Sequence, residues 1–316
     1  MSRRVLVTGG AGFIGSHLAA EYQRDGWDVT VIDDLSRGKE HNVPSGARFI
    51  KADVRSPEAR DAVARGGFDV LNLQAAQIDV RVSVQDPACD AETNVFGLIN
   101  MLEGAAAGKV RRVVFASSGG VVYGDPEVLP TPETAPKMPI SPYGVSKLSG
   151  EHYLRALGQL RGFETVAMRY SNVFGPRQDP KSEAGVVSIF ISRLLEGQPI
   201  TIFGDGKQTR DYVFVQDVAR ANVAASSALL PAFADHDSIA FNVATAQQVS
   251  VVELANAVGE VVGVKPRIDF APARAGELLR SSLDISKARS TLRWSPQVSF
   301  NDGLRAVADW FKGGAR

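Results

Sequence analysis

At 316 residues the chain is long enough to bury a full α/β core and a smaller second lobe. Its 35 Lys+Arg balance 35 Asp+Glu, which leaves no net field for nucleic acid or an anionic membrane, so an anionic ligand has to be held by local donors. The single cysteine, Cys89, excludes a disulfide framework and fits a reducing, cytoplasmic compartment, and no apolar run approaches the ~18 residues of a membrane span.

Residues 5–8 read as a short apolar strand that runs straight into Gly9-Gly10-Ala11-Gly12-Phe13-Ile14-Gly15-Ser16-His17. Further strands rich in Val, Ile or Phe are predicted at 28–33, 48–52, 70–73, 112–117 and 165–169, with helical patterns at 13–24, 57–64, 91–107 and 142–160 between them. This alternation predicts a Rossmann-type, doubly wound parallel sheet with right-handed crossovers over residues 1–169. After Tyr170 the rhythm changes to Gly/Pro-rich loops such as Phe174-Gly175-Pro176-Arg177 and Phe203-Gly204-Asp205-Gly206-Lys207. Residues 170–210 and 244–316 are assigned to a substrate-binding lobe, with a return segment at about 211–243 rejoining the large domain.

The glycines serve a backbone that turns tightly and lets phosphate oxygens approach a helix N-terminus. A glycine pattern alone is weak, because glycine turns also cap helices. Here a strand precedes it, a helix follows, and Asp33-Asp34 ends the next strand about 20 residues on. A carboxylate there accepts hydrogen bonds from an adenosine ribose and repels a 2′-phosphate, which favours NAD over NADP. Asp53 reads as an adenine contact, or as a helix N-cap in competition with Ser56.

A second motif, Ser141-Pro142-Tyr143-Gly144-Val145-Ser146-Lys147, sets Tyr143 and Lys147 four apart, on one helix face. Pro142 suits the first helical position and Ser141 the cap. A phenol that takes a proton at neutral pH needs its pKa of ~10 lowered, and Lys147, an oxidised nicotinamide and the helix N-terminus would all push that way. The preceding strand ends in Ser117-Ser118, about 25 residues before Tyr143, where a sheet delivers side chains to the cofactor cleft. Ser118 is the expected relay hydroxyl, with Ser117 as its rival. The four histidines (His17, His41, His152, His236) show no metal-ligand spacing, so no metal is expected.

Taken together, these motifs resemble the extended short-chain dehydrogenase/reductase family, in particular its nucleotide-sugar epimerases and dehydratases. Residues 8–17 are similar to the family's opening signature. Ala75-Ala76-Gln77, Val80-Arg81-Val82-Ser83-Val84 and Asn94-Val95-Phe96-Gly97 are similar to its middle signatures, and Arg169-Tyr170-Ser171-Asn172-Val173-Phe174-Gly175-Pro176, residues 204–211 and Arg274-Ala275-Gly276-Glu277 to its nucleotide-sugar segments. The resemblance implies NAD contacts from Gly9, Gly12, Phe13, Ile14, Gly15, Asp33, Asp34, Asp53, Val54, Ala75, Ala76, Asn94, Tyr143, Lys147, Tyr170 and Val173. For the substrate it implies Ser83, Ser118, Asn172, Val187, Arg210, Arg274, Glu277 and Ser281, with the two arginines on a diphosphate. The reaction implied is 4-epimerisation of a UDP-hexose through a 4-keto sugar, with Tyr143 accepting the hydroxyl proton and no net redox change. The alternatives are a UDP-uronate 4-epimerase, another nucleotide-sugar dehydrogenase or dehydratase, or a non-catalytic NAD-binding sensor. Relatives also imply a homodimer in which the helices at 91–107 and 142–160 form a four-helix interface.

Departures from the family pattern narrow this. Leu73 stands where many relatives carry His. Gly119 and Gly120 follow the serines where dehydratases place an Asp-Glu pair, which argues against elimination of water. Ser281 replaces a large aromatic that restricts some epimerases to plain hexoses, so room for an N-acetyl group is expected.

Overall fold

The computed structural model describes residues 2–180, 185–230, 234–273 and 278–314. Six parallel strands follow one another through the first half: β1 (Arg4–Thr8), β2 (Asp28–Asp33), β3 (Arg48–Lys51), β4 (Val70–Leu73), β5 (Arg112–Ser118) and β6 (Glu164–Tyr170). The helices between them are α1 (Phe13–Arg24), α2 (Pro57–Gly66), α3 (Val80–Gln85), α4 (Pro87–Ala91), α5 (Gly97–Ala107) and α6 (Pro142–Arg161). In the second half run β7 (Asn172–Phe174), α7 (Val186–Leu195), β8 (Ile200–Phe203), β9 (Thr209–Arg210), β10 (Tyr212–Phe214), α8 (Val215–Ser227), β11 (Ala240–Val243), β12 (Val249–Ser250), α9 (Val251–Val262), β13 (Ile268–Ala271), α10 (Ser286–Leu292) and α11 (Phe300–Lys312).

The main sheet has seven strands in the order β11-β6-β5-β4-β1-β2-β3, all parallel. Its central strands are apolar on both faces because helices cover both: every residue of β4 and all but the last of β5 are buried. One core lies between the sheet and α1 and α8, around Val7, Leu18, Tyr22, Val114, Val218 and Phe241. The opposite face packs Leu6, Val63, Leu71, Leu102, Val113 and Leu154 against α2, α5 and α6. The strand order reverses between β1 and β4, which opens a crevice at their carboxyl ends, where such sheets bind ligands.

A third core, with Phe174, Ile191, Ile202, Leu254, Leu304 and Val307, builds the small lobe. Residues 244–316, expected as one block of that lobe, are in fact divided. Leu283, Ile285, Ala288, Leu292 and Trp294 fill the large domain's core, while α9 and α11 belong to the small lobe. The helix expected over 91–107 is also interrupted. It begins earlier, as α4, passes through a π turn at Glu92–Phe96 and continues as α5. Asp86 caps α4 by accepting from Cys89 N at 3.0 Å, and Pro87 occupies its first turn.

Candidate active site

The cofactor end is built mostly from main chain. Gly9 has φ +66°, and a Cβ there would lie 2.8 Å from Ala75 N. At Gly15 a Cβ would lie 2.1 Å from Gly9 O, so the helix can follow the turn this tightly only without a side chain. Gly12 caps α1 with no side-chain bond, so the first-turn N–H groups, those of Phe13 and Ile14 among them, are not taken by a cap, the arrangement that suits an anion. Asp33 is buried beside this turn: its Oδ2 accepts Ala11 N at 3.0 Å and its Oδ1 accepts Leu35 N at 2.9 Å. Burial pushes its carboxyl above the usual range, against those two bonds. Asp34 is exposed and turns back onto Ser36. These features fit an adenosine and pyrophosphate laid across the crevice, with the Asp33 carboxylate at the ribose.

The loop after β4 is held against β1 by Thr8 Oγ1, which accepts Gln74 N at 3.1 Å and Ala75 N at 3.2 Å. Beyond Ala76, Gln77 and Asn94 exchange a reciprocal pair of 2.9 Å bonds, so the Asn94 amide shapes this loop. Asp53 gives its carboxylate to Arg55 Nε at 3.0 Å, and that hydrogen bond holds it below the usual range. Ser56, accepting Ala59 N at 3.1 Å, is the cap of α2. Val54 is buried, and its carbonyl accepts Asn100 Nδ2 at 2.7 Å.

The proton-transfer end is built from side chains. Ser141 caps α6 by accepting Gly144 N at 3.2 Å, and Pro142 follows in its first turn, so Tyr143 sits in that turn as its sequence predicts. Lys147 is 4% exposed and donates to Ala116 O at 2.8 Å, which fixes its ammonium at the end of β5, 5.6 Å from the centre of the Tyr143 ring. Burial pulls the Lys147 pKa down to about 8, against the pull of Asp90 and Glu151. The Tyr143 phenol is not lowered by the protein's own groups. Burial and the Asp90 carboxylate push it above its ordinary value, so the lowering expected from the sequence has to come from elsewhere.

The two candidate hydroxyls separate cleanly. Ser117 Oγ donates to Glu151 Oε1 at 2.5 Å inside a buried cluster. There Arg169 grips Glu151 with bonds of 2.9 Å to Oε1 and 2.6 Å to Oε2, and His236 Nε2 lies 3.0 Å from Oε2 as well. Ser118, the next residue, points to the opposite face of the strand. Its hydroxyl makes no hydrogen bond among the described residues, and a Cβ at Gly120 would lie 3.7 Å from it. Among the described residues the Asn172 side-chain amide likewise makes no hydrogen bond, while its backbone N donates to Asp211 O at 2.9 Å.

Other expected contacts take different roles. Ser83 is fully buried, donating to Val80 O at 2.7 Å and accepting Tyr143 N at 3.2 Å, so it braces the first turn of α6. The Tyr170 ring is in the core and its hydroxyl donates to Asn222 Oδ1 at 3.1 Å, so any contact with a nicotinamide comes from its main chain. Val187 is 1% exposed in the small-lobe core, which leaves only its backbone for a ligand. Val173 is partly buried in β7. Arg210 lies partly buried on β9, donating to Thr209 O at 2.9 Å, and Ser281 is buried. Arg274 and Glu277 lie outside the described residues. Sequence reasoning missed Gln77, Asp90 and Ser146, although Ser146 directly precedes Lys147, and Asp90 stands one helical turn before Asn94.

The sequence model of the NAD dependent epimerase/dehydratase family matches residues 5–244. The chain belongs to that family. It is 43% identical over 314 residues to a UDP-glucose 4-epimerase of Mycolicibacterium smegmatis, covering 98% of both chains. The UDP-glucose 4-epimerase of Thermotoga maritima, solved with UDP-glucose, superposes with a TM-score of 0.93 at 39% identity, over 99% of this chain and 100% of that one. The Thermus thermophilus UDP-glucose 4-epimerase, solved with NAD, gives 0.91 at 43% identity, over 98% and 99%. The family is NAD-dependent, and the crevice between β1 and β4 has the features that fit this cofactor. Among the described residues there is no His/Cys/Asp/Glu group suited to a metal, and no helix long and apolar enough to cross a membrane.

Proposed function

We propose that this chain interconverts the C4 epimers of a UDP-hexose, UDP-glucose and UDP-galactose first, with N-acetyl forms admitted beside Ser281. The observation that carries the reading is the free Ser118 hydroxyl at the end of β5, where Lys147 and Tyr143 converge while Ser117 is locked to Glu151. NAD, when bound, supplies the acceptor and later the donor of the C4 hydride. Tyr143 takes the C4 hydroxyl proton, with Ser118 hydrogen-bonded to that oxygen, and returns it after the 4-keto sugar has turned over. Lys147 supplies a fixed positive charge beside the phenol. Asn172, Arg210 and Arg274 hold the diphosphate, and the sugar is free to rotate because only the nucleotide end is clamped. Positions 119 and 120 carry no side chain able to eliminate water.

The same reading includes a homodimer in the cytoplasm. Val145, Tyr153 and Leu160 form an exposed apolar stripe along α6, 51%, 43% and 78% accessible, with Phe96 exposed just before α5. Sedimentation at micromolar concentration tests this, with a monomer counting against it.

Incubation of the purified protein with UDP-galactose, UDP-N-acetylgalactosamine or UDP-glucuronate, with no NAD added, tests the activity. Conversion of the first two to their C4 epimers is the expected result. Turnover of the uronate alone would move the assignment to a uronate epimerase, and no turnover even with added NAD would favour a sensor.

A further inference from the structure

Asp90 lies under the first turns of α6 and is fully buried. Its carboxylate accepts three hydrogen bonds, each from a different part of the site. Ser146 Oγ on α6 donates at 2.6 Å, Asn94 Nδ2 in the π turn at 2.9 Å, and Gln77 Nε2 in the loop after β4 at 3.0 Å. All three donors are neutral, and no ion pair reaches Asp90 among the described residues. One residue beyond Ser146 is Lys147, whose buried ammonium donates to a carbonyl and likewise touches no carboxylate. A buried charge without a partner is strongly destabilising. Two such charges of opposite sign, one on α4 and one on α6 and both meeting the same turn of α6, compensate each other.

We propose that Asp90 is the counter-ion of Lys147 and, through Ser146, a positioning residue for the proton-transfer pair. This rests on the reading that Tyr143 and Lys147 move the substrate proton. Hydrogen bonding alone does not require an acid here. An asparagine oxygen would still accept from Gln77 and Asn94, and its NH₂ would donate to Ser146 Oγ. What the amide lacks is the charge.

The other charges around α6 are already spoken for. Glu151, one turn beyond Lys147, is neutralised by Arg169 and contacted by His236. Asp237 pairs with Lys137. On α3, Arg81 faces Asp79 at 3.7 Å, Glu92 of the π turn is exposed, and Glu103 of α5 pairs with Arg161 at the far end of α6. Asp90 is thus the carboxylate that Ser146 binds, and of the two that act on Lys147 it is the one without an ion pair among the described residues. Its charge opposes the loss of the Lys147 proton and also holds the Tyr143 phenol protonated.

The test is the pH profile of kcat for Asp90→Asn, with retained NAD measured on the same preparation. The expected result is full NAD content with both limbs displaced to lower pH by roughly one unit, because the lost negative charge eases ionisation of Tyr143 and deprotonation of Lys147 alike. A lower kcat with both limbs unmoved would mean that Asp90 only joins the helices, and would overturn the proposal. Ser146→Ala keeps the charge and removes one bond, so kcat should fall several-fold with the limbs in place; an acid displacement as large as that of D90N would also overturn it. Should D90N not fold, D90N/K147Q is expected to fold and to melt above K147Q alone, since the orphaned carboxylate is gone; a lower melting point refutes the pairing. A wild-type protein with no epimerase activity would count against the assigned reaction, while the melting comparison would still decide the counter-ion.

Discussion

The two ends of the crevice are made of different material. At the cofactor end, glycines 9, 12 and 15 and the first turn of α1 present main-chain groups, and the one side chain of note, Asp33, is itself tied to backbone N–H groups. At the proton-transfer end the groups that matter are side chains from four distant elements, α3, α4, β5 and α6, held by side-chain bonds such as Ser83 to Tyr143 N and Ser146 to Asp90. A backbone cradle tolerates changes in surrounding side chains but no added Cβ. A side-chain constellation keeps its shape only while each supporting contact survives. The two ends should therefore fail in different ways.

The largest effect is expected from Gly15→Val, which drives side-chain carbons into Gly9 O. The purified variant should carry no NAD, as read by release and absorbance, and retained NAD would show that the cradle does not depend on this approach. Tyr143→Phe attacks the other end: turnover should fall by about 10²–10⁴-fold with NAD content unchanged, and loss of the cofactor would blur the division between the ends. Glu151→Gln should lower unfolding stability by about 3–5 kcal/mol in denaturant titration, because buried Arg169 loses its bidentate partner and keeps only Asp237, at 3.5 Å, as an ion pair. Burial opposes ionisation of Glu151, but His236, Arg169 and Ser117 outweigh it and hold its pKa at about 2. A depressed folded-state value means that this stability is present above the unfolded value of 4.5 and is lost as pH falls toward about 2. The wild type should show that acid loss and E151Q should not. The smallest contrast is between neighbours. Ser118→Ala should slow turnover by about a hundredfold. Ser117→Ala should cost about 1 kcal/mol of stability with turnover nearly intact, and the reverse pattern would exchange their roles.

Much of the fold was legible because doubly covered parallel strands are written as unbroken apolar runs. Val113-Val114-Phe115 and Val70-Leu71 leave little choice of element. The cofactor end was legible for a related reason: its geometry is local, and glycine is the residue that a tight strand-to-helix turn demands. The choice between Ser117 and Ser118 was not legible, because it depends on which face of β5 meets Glu151, and that residue lies 34 positions later in the chain. The brace from Ser83 to Tyr143 N was hidden for the same reason, as the two lie 60 residues apart. Asp86-Pro87 did carry a readable helix-start signal, and it would have placed α4 and brought Asp90 into view. The division of residues 244–316 between two cores had no local signature, since apolar residues at helical spacing do not say which core they enter.

The large domain also lacks a clean end in the gene. Its outermost strand, β11, and the plug formed by Leu283, Ile285, Ala288, Leu292 and Trp294 are encoded after the small lobe has begun. A fragment stopping at Arg169 would expose the edge of β6 and an unfilled apolar face under α8's position. The nucleotide-binding half of this chain is therefore not a cassette that recombination could lift out and join to another partner. Exchange of that half would leave its sheet and core incomplete, whereas substitution and loop change leave both cores closed.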